Sequence, residues 1–77
     1  MESHDVEERF GNPLTVANEF AFVRIQKVLT RNGERLEISA PKLQRCILLD
    51  AVELESLSWQ THEMFSKMLE TPFGPES

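Results

Sequence analysis

Asn32-Gly33 constrains this chain more than any other pair of residues in it. The dipeptide lies inside Arg31-Asn32-Gly33-Glu34, between two β-prone runs at residues 19–30 and 35–40. Asn-Gly is the preferred pair for a two-residue type I′ turn, because both central positions need positive φ. With Asn32-Gly33 at the tip, Leu29 faces Leu36, Lys27 faces Ile38 and Ile25 faces Ala40. One face then reads Val23, Ile25, Leu29, Leu36, Ile38, Ala40. The other reads Arg24, Gln26, Val28, Thr30, Arg35, Glu37, Ser39 and is mostly polar. Lys27 is the misfit on the apolar face, where it snorkels to the edge or a bulge shifts the register.

Pro41 interrupts the run, and residues 42–49 supply a third antiparallel strand. Its facing stays ambiguous, with Leu43, Ile47 and Leu49 on one side against Cys46 and Leu48 on the other. Asp50, three residues before Glu53, reads as the start of a capping box with Asp in place of Ser or Thr. A helix from 51 to about 59 follows, presenting Val52, Leu54, Leu57 and Trp59. Thr61 is a second cap, leading into a stripe of Phe65, Met68 and Leu69 at i, i+3, i+4 spacing. The expected fold is α+β: a three-stranded antiparallel meander followed by one broken C-terminal helix or two short helices.

The ends read differently. Residues 1–13 carry four acidic side chains against Arg9, then the turn-like Gly11-Asn12-Pro13, and are expected to form a flexible acidic arm. Residues 71–77, Thr71-Pro72-Phe73-Gly74-Pro75-Glu76-Ser77, form a Pro/Gly tail that no helix continues through. One domain, 14–70, remains between them. A chain of 77 residues buries only about 60% of its unfolded surface. That leaves no room for a doubly wound nucleotide-binding domain or a barrel enzyme. Neither a signal peptide nor an apolar run of ~20 residues is visible, so a soluble cytoplasmic protein is expected.

The residues carry little that points to chemistry. His4, His62 and Cys46 show no metal-ligand spacing. Cys46, in the apolar run Cys46-Ile47-Leu48-Leu49, has no partner for an internal disulfide and reads as an inert buried thiol. Ser56, Ser58 and Ser66 lack a nucleophile elbow, and the three glycines stand too far apart for a phosphate loop. No catalytic residue, metal or cofactor is therefore assigned. Residues 11–45 sum to +3, but the whole chain is −5, which argues against nucleic acid.

What the sequence does offer is apolar surface. Phe20, Phe22, Trp59, Phe65, Met68 and Phe73 are more large apolar side chains than one thin core needs, and they are the candidate protein-contact residues. The plain alternative is that the helices fold over the sheet and bury them. A homodimer sharing those surfaces satisfies both readings.

The series Ala17-Asn18-Glu19-Phe20-Ala21, Thr30-Arg31-Asn32-Gly33-Glu34-Arg35-Leu36-Glu37-Ile38, Leu49-Asp50-Ala51 and Leu54-Glu55-Ser56-Leu57-Ser58-Trp59-Gln60, with the ending Leu69-Glu70-Thr71-Pro72-Phe73-Gly74-Pro75, resembles a family of short bacterial proteins labelled dihydrodiol dehydrogenase. The resemblance covers roughly residues 14–75 and supplies no catalytic residues. A dehydrogenase needs a nicotinamide site, and the glycine-rich loop and parallel sheet of that site are missing here. The resemblance thus implies association: an accessory protein or small subunit of a larger oxidative catabolic enzyme. The expected function is a non-catalytic protein-interaction module. The alternatives are a small oxidoreductase, as the label says, and a small nucleic-acid-binding regulator.

Overall fold

The computed structural model describes residues 6–70. Four antiparallel strands run in chain order as one meander: β1 (Val6–Ala17), β2 (Phe22–Thr30), β3 (Gly33–Ala40) and β4 (Arg45–Leu49). Two short helices follow, α1 (Ala51–Leu57) and α2 (His62–Met68). The α+β class and the pair of short helices agree with the sequence; the strand count does not.

The extra strand is β1, which takes up residues 6–13 of the expected acidic arm. Residues 1–5 and the expected tail at 71–77 lie outside the described residues. Gly11-Asn12-Pro13 does not end β1, because a bulge absorbs it. Phe10 pairs with Lys27 and Leu14 with Ile25, so three residues of β1 oppose Gln26 alone. Gly11 takes φ 68° there, and its carbonyl accepts from the Gln26 amide Nε2 at 2.7 Å. Pro13 lacks an N–H, which an edge strand tolerates. Asn18 then closes the β1–β2 hairpin, its Oδ1 accepting from the backbone N–H of Phe20 and Ala21 at 2.8 Å each. This is an Asx turn.

The β2–β3 hairpin is present, with its register moved by two residues. Thr30 pairs with Gly33, Lys27 with Leu36 and Ile25 with Ile38. The turn residues are Arg31 and Asn32, and neither has positive φ. Gly33 instead opens β3 at φ 122°. Thr30 fixes this arrangement: its hydroxyl donates to the Gly33 carbonyl at 2.9 Å and accepts from the Asn32 N–H at 3.2 Å. Because the side-chain period of a strand is two, a two-residue shift leaves every residue on its expected face.

The expected third strand at 42–49 is shorter. Pro41–Leu43 form a 3₁₀ turn that ends on Gln44 at φ 54°, and β4 begins only at Arg45. Its facing is now settled. Ile47 and Leu49 pair with Ile38 and Leu36 on the apolar side, and Cys46 and Leu48 lie opposite.

Both expected helix starts form. Asp50 and Glu53 make the reciprocal capping box, with the Glu53 N–H donating to Asp50 Oδ1 at 2.8 Å and the Asp50 N–H to Glu53 Oε1 at 3.0 Å. Thr61 Oγ1 accepts from the Met64 N–H at 3.3 Å. What the helices do not do is roof the sheet. Val28 on β2, at 0% exposure, is the single fully buried hydrophobic side chain among the described residues. The radius of gyration is 13.3 Å, against roughly 11 Å for a closely packed domain of this length.

Candidate interaction surface

One side of the sheet is apolar from edge to edge. Strand alternation and pairing put Phe10, Leu14 and Val16 of β1 beside Val23 and Ile25 of β2, then Leu36 and Ile38 of β3, then Ile47 and Leu49 of β4. The two central strands are half-buried, but the outer ones are open. Leu14 is 64% exposed, Val16 63% and Ile47 54%. A sheet face of this composition ordinarily packs against a second layer. Here only a corner has one: Ala51 and Leu54 of α1 close over Leu36, Lys27, Glu34 and Arg35 around a shallow cleft of about 200 Å³.

Lys27, the misfit in the pattern, remains on this face without a bulge in β2–β3. Its ammonium lies 3.5 Å from the Glu34 carboxylate and over the Phe10 ring at 5.7 Å from the centroid. The charge is thus turned toward the hairpin end, and the apolar field beyond it runs on to Arg45, which pairs with Ala40 at the far corner.

The opposite face carries most of the polar side chains, as expected, but it also holds the two buried residues of the described chain, Val28 and Thr30, together with Phe22 and Leu48. Arg9 Nη2 reaches across β2 to both carboxylate oxygens of Glu37, at 3.0 and 3.3 Å. The Cys46 thiol donates to Glu37 Oε2 at 3.7 Å. Burial, and then the adjacent Glu37 carboxylate, push that thiol above its ordinary pKa, because both disfavour the thiolate. Cys46 is half-buried where the sequence suggested a buried thiol, and a thiol held protonated is a poor nucleophile. A second cleft of about 200 Å³ opens beside this cluster, lined by Arg9, Pro13, Arg24, Ile25, Gln26, Glu37 and Ser39.

The sequence-derived contact residues do not form one patch. Phe20 sits at the tip of the β1–β2 hairpin and is 86% exposed. Phe22 begins β2 on the polar face, half-buried, with the Arg24 guanidinium 5.5 Å above its ring. Both lie at the end of the sheet away from Arg31-Asn32, whereas α1 leaves β4 at the Arg31-Asn32 end, since Leu49 pairs with Leu36. Trp59 is exposed in the connection after α1, and Phe65 and Met68 are exposed on α2. Phe73 lies outside the described residues. Sequence reasoning missed Leu14, Val16 and Ile47. The alternation Leu14-Thr15-Val16 was the available signal, and reading residues 1–13 as an arm hid the strand it belongs to.

Among the described residues, no group of three or more His, Cys, Asp and Glu side chains is placed to hold a metal ion. No helix of the described residues is long and apolar enough to cross a membrane. No family model, curated protein or solved structure matches this chain.

Proposed function

We propose that this chain is a non-catalytic protein-interaction module, and that its apolar sheet face is the surface through which it binds protein. The observation that carries the reading is the open field from Leu14 and Val16 to Ile47, which a sheet-and-helix domain would ordinarily bury. Trp59, Phe65 and Met68 add exposed apolar groups of the kind that anchor interfaces. The polar face supports the same conclusion from the other side. Its carboxylate Glu37, 12% exposed, is engaged by Arg9 and Cys46. The resemblance to short bacterial proteins labelled dihydrodiol dehydrogenase supplies the setting: an accessory protein or small subunit of a larger oxidative enzyme.

The test compares purified wild type with Ile47→Lys and Trp59→Ala. Light scattering reports self-association, and retention from a native bacterial lysate reports other partners. The expected result is an association that Ile47→Lys abolishes and that Trp59→Ala weakens by about 2 kcal/mol if Trp59 is a hot spot. Far-UV circular dichroism should stay unchanged in both variants. A folded monomer that retains no protein, or one that turns over a nicotinamide cofactor unaided, refutes the reading.

A further inference from the structure

Two apolar surfaces of this chain lie open at once, and they differ in shape. One is the sheet face. The other is the α1–α2 pair, where Leu57, Trp59, Met64, Phe65 and Leu69 are all exposed and every residue of α2 faces solvent. The chain's own geometry keeps them apart. Leu49 is the last residue of β4, Asp50 is the N-cap and Ala51 already begins α1. With no linker, α1 reaches only the Leu36 corner, and Leu14, Val16 and Ile47 stay uncovered.

We infer that the occupant of the sheet face is a second copy of this chain, whose α1–α2 pair lies across it while its own face receives the first copy's helices. This rests on the interaction-module reading and specifies its partner. Three observations favour this arrangement over sheet on sheet or helix on helix. The first is area. At roughly 200 Å² for a fully exposed large side chain, the open fractions of Phe10, Leu14, Val16 and Ile47 and of the five helical residues amount to about 900 Å² per copy. Reciprocal burial then removes roughly 1,800 Å², inside the ~1,200–2,000 Å² range of stable interfaces. Either like-on-like pairing leaves about half of that surface in water.

The second is charge. Residues 51–70 carry Glu53, Glu55, Glu63 and Glu70 against Lys67, net −3, so helix on helix brings like charge together. On the apolar sheet face Glu8 and Glu34 stand against Lys27 and Arg45, so helix on sheet meets no net charge of its own sign. The third is size and closure. Each helix has seven residues and spans ~10 Å, and four strands span ~14 Å between their outer axes. An exchange in which each copy gives helices and receives helices closes as a two-fold dimer and does not propagate into a fibre.

Light scattering on the full chain and on two surface variants tests this. Wild type should have twice the mass of one chain. Leu14→Lys on the sheet and Leu69→Lys on the helical pair should each weaken the dimer by ~10-fold or more, with circular dichroism unchanged. An equimolar mixture of the two variants should regain dimer. In the mixed pair one half-interface is wild type on both sides, and the half that carries both lysines is already lost to either one. A wild-type dimer that Leu69→Lys leaves intact would mean sheet-on-sheet pairing and overturn the exchange. So would a mixture no better than either variant alone. A wild-type monomer that retains another protein, and loses it on Leu14→Lys, overturns this inference while the interaction-module reading stands. A monomer that retains nothing overturns both.

Discussion

Replacing Val28 with alanine separates a buried strand from an open one. Val28 is fully buried two residues from the end of β2, flanked by Arg9 of β1 and Arg35 of β3. Removing two methyl groups there forfeits about 1.5 kcal/mol of transfer free energy, and the hole left behind raises the loss to about 2–3 kcal/mol. A domain of this size rarely holds more than ~3–5 kcal/mol, so Val28→Ala takes about half of the stability. With a urea m-value near 1 kcal/mol/M, the midpoint falls by about 2 M or the fold is lost outright.

Leu14→Ala is the internal control. Leu14 is 64% exposed, so only about a third of its surface is out of water, and the loss should stay below ~1 kcal/mol. Urea unfolding followed by far-UV circular dichroism in dilute protein measures both variants. Raising the protein concentration then tests what covers Leu14: its cost should grow with concentration if a second copy buries it, while that of Val28→Ala should grow no faster than the wild-type baseline. Equal costs in dilute protein would refute the reasoning, because Leu14 would then already be buried within its own chain.

Further substitutions probe three local devices. Glu37→Gln removes the carboxylate beside Cys46, so the thiol pKa should fall and alkylation at mildly alkaline pH should quicken. Since the folded thiol pKa is raised, wild type should lose stability as pH climbs from the ordinary thiol value through the folded one. Cys46→Ser should remove that slope in pH-dependent urea melts. Asp50→Ala opens the capping box and should cost about 1 kcal/mol, visible as reduced helical ellipticity and a lower melting temperature. Gly33→Ala forces a side chain onto φ 122° and should cost at least ~1 kcal/mol in thermal melts. Asn32→Ala should cost less, because Asn32 is not at positive φ.

The pattern of the chain was informative where a period or a cap decides the structure. Alternation in residues 23–29 and 36–40 sorted the two faces of β2 and β3 correctly even though the register was off by two, because face membership depends only on parity. Register itself depended on Thr30, whose hydroxyl ties Asn32 and Gly33 into a turn centred on Arg31-Asn32. Asn-Gly chemistry alone does not report that side chain. β1 was hidden for a different reason. Gly11, Asn12 and Pro13 are breakers in an isolated strand, but the Gln26 amide holds the bulge they form against β2. That contact is made between residues fifteen apart in the chain and has no local signature.

The candidate surface was legible in kind but not in place. An excess of large apolar side chains over what one core absorbs is a property of composition, and it survives any error in strand assignment. Which of them remain open depends on how far α1 can swing, and that is set by a single junction. Asp50 has to cap α1 while Leu49 still pairs with Leu36. The two demands start the helix at the last rung of the sheet and aim it at one corner. Had a flexible linker of several residues stood at Asp50, the helical pair would have been free to fold back over Ile25 and Ile38 and close a two-layer monomer. The capping box, worth about 1 kcal/mol to the helix, therefore has a larger consequence for the surface. By fixing where α1 begins, it leaves Leu14, Val16 and Ile47 outside the corner that α1 covers.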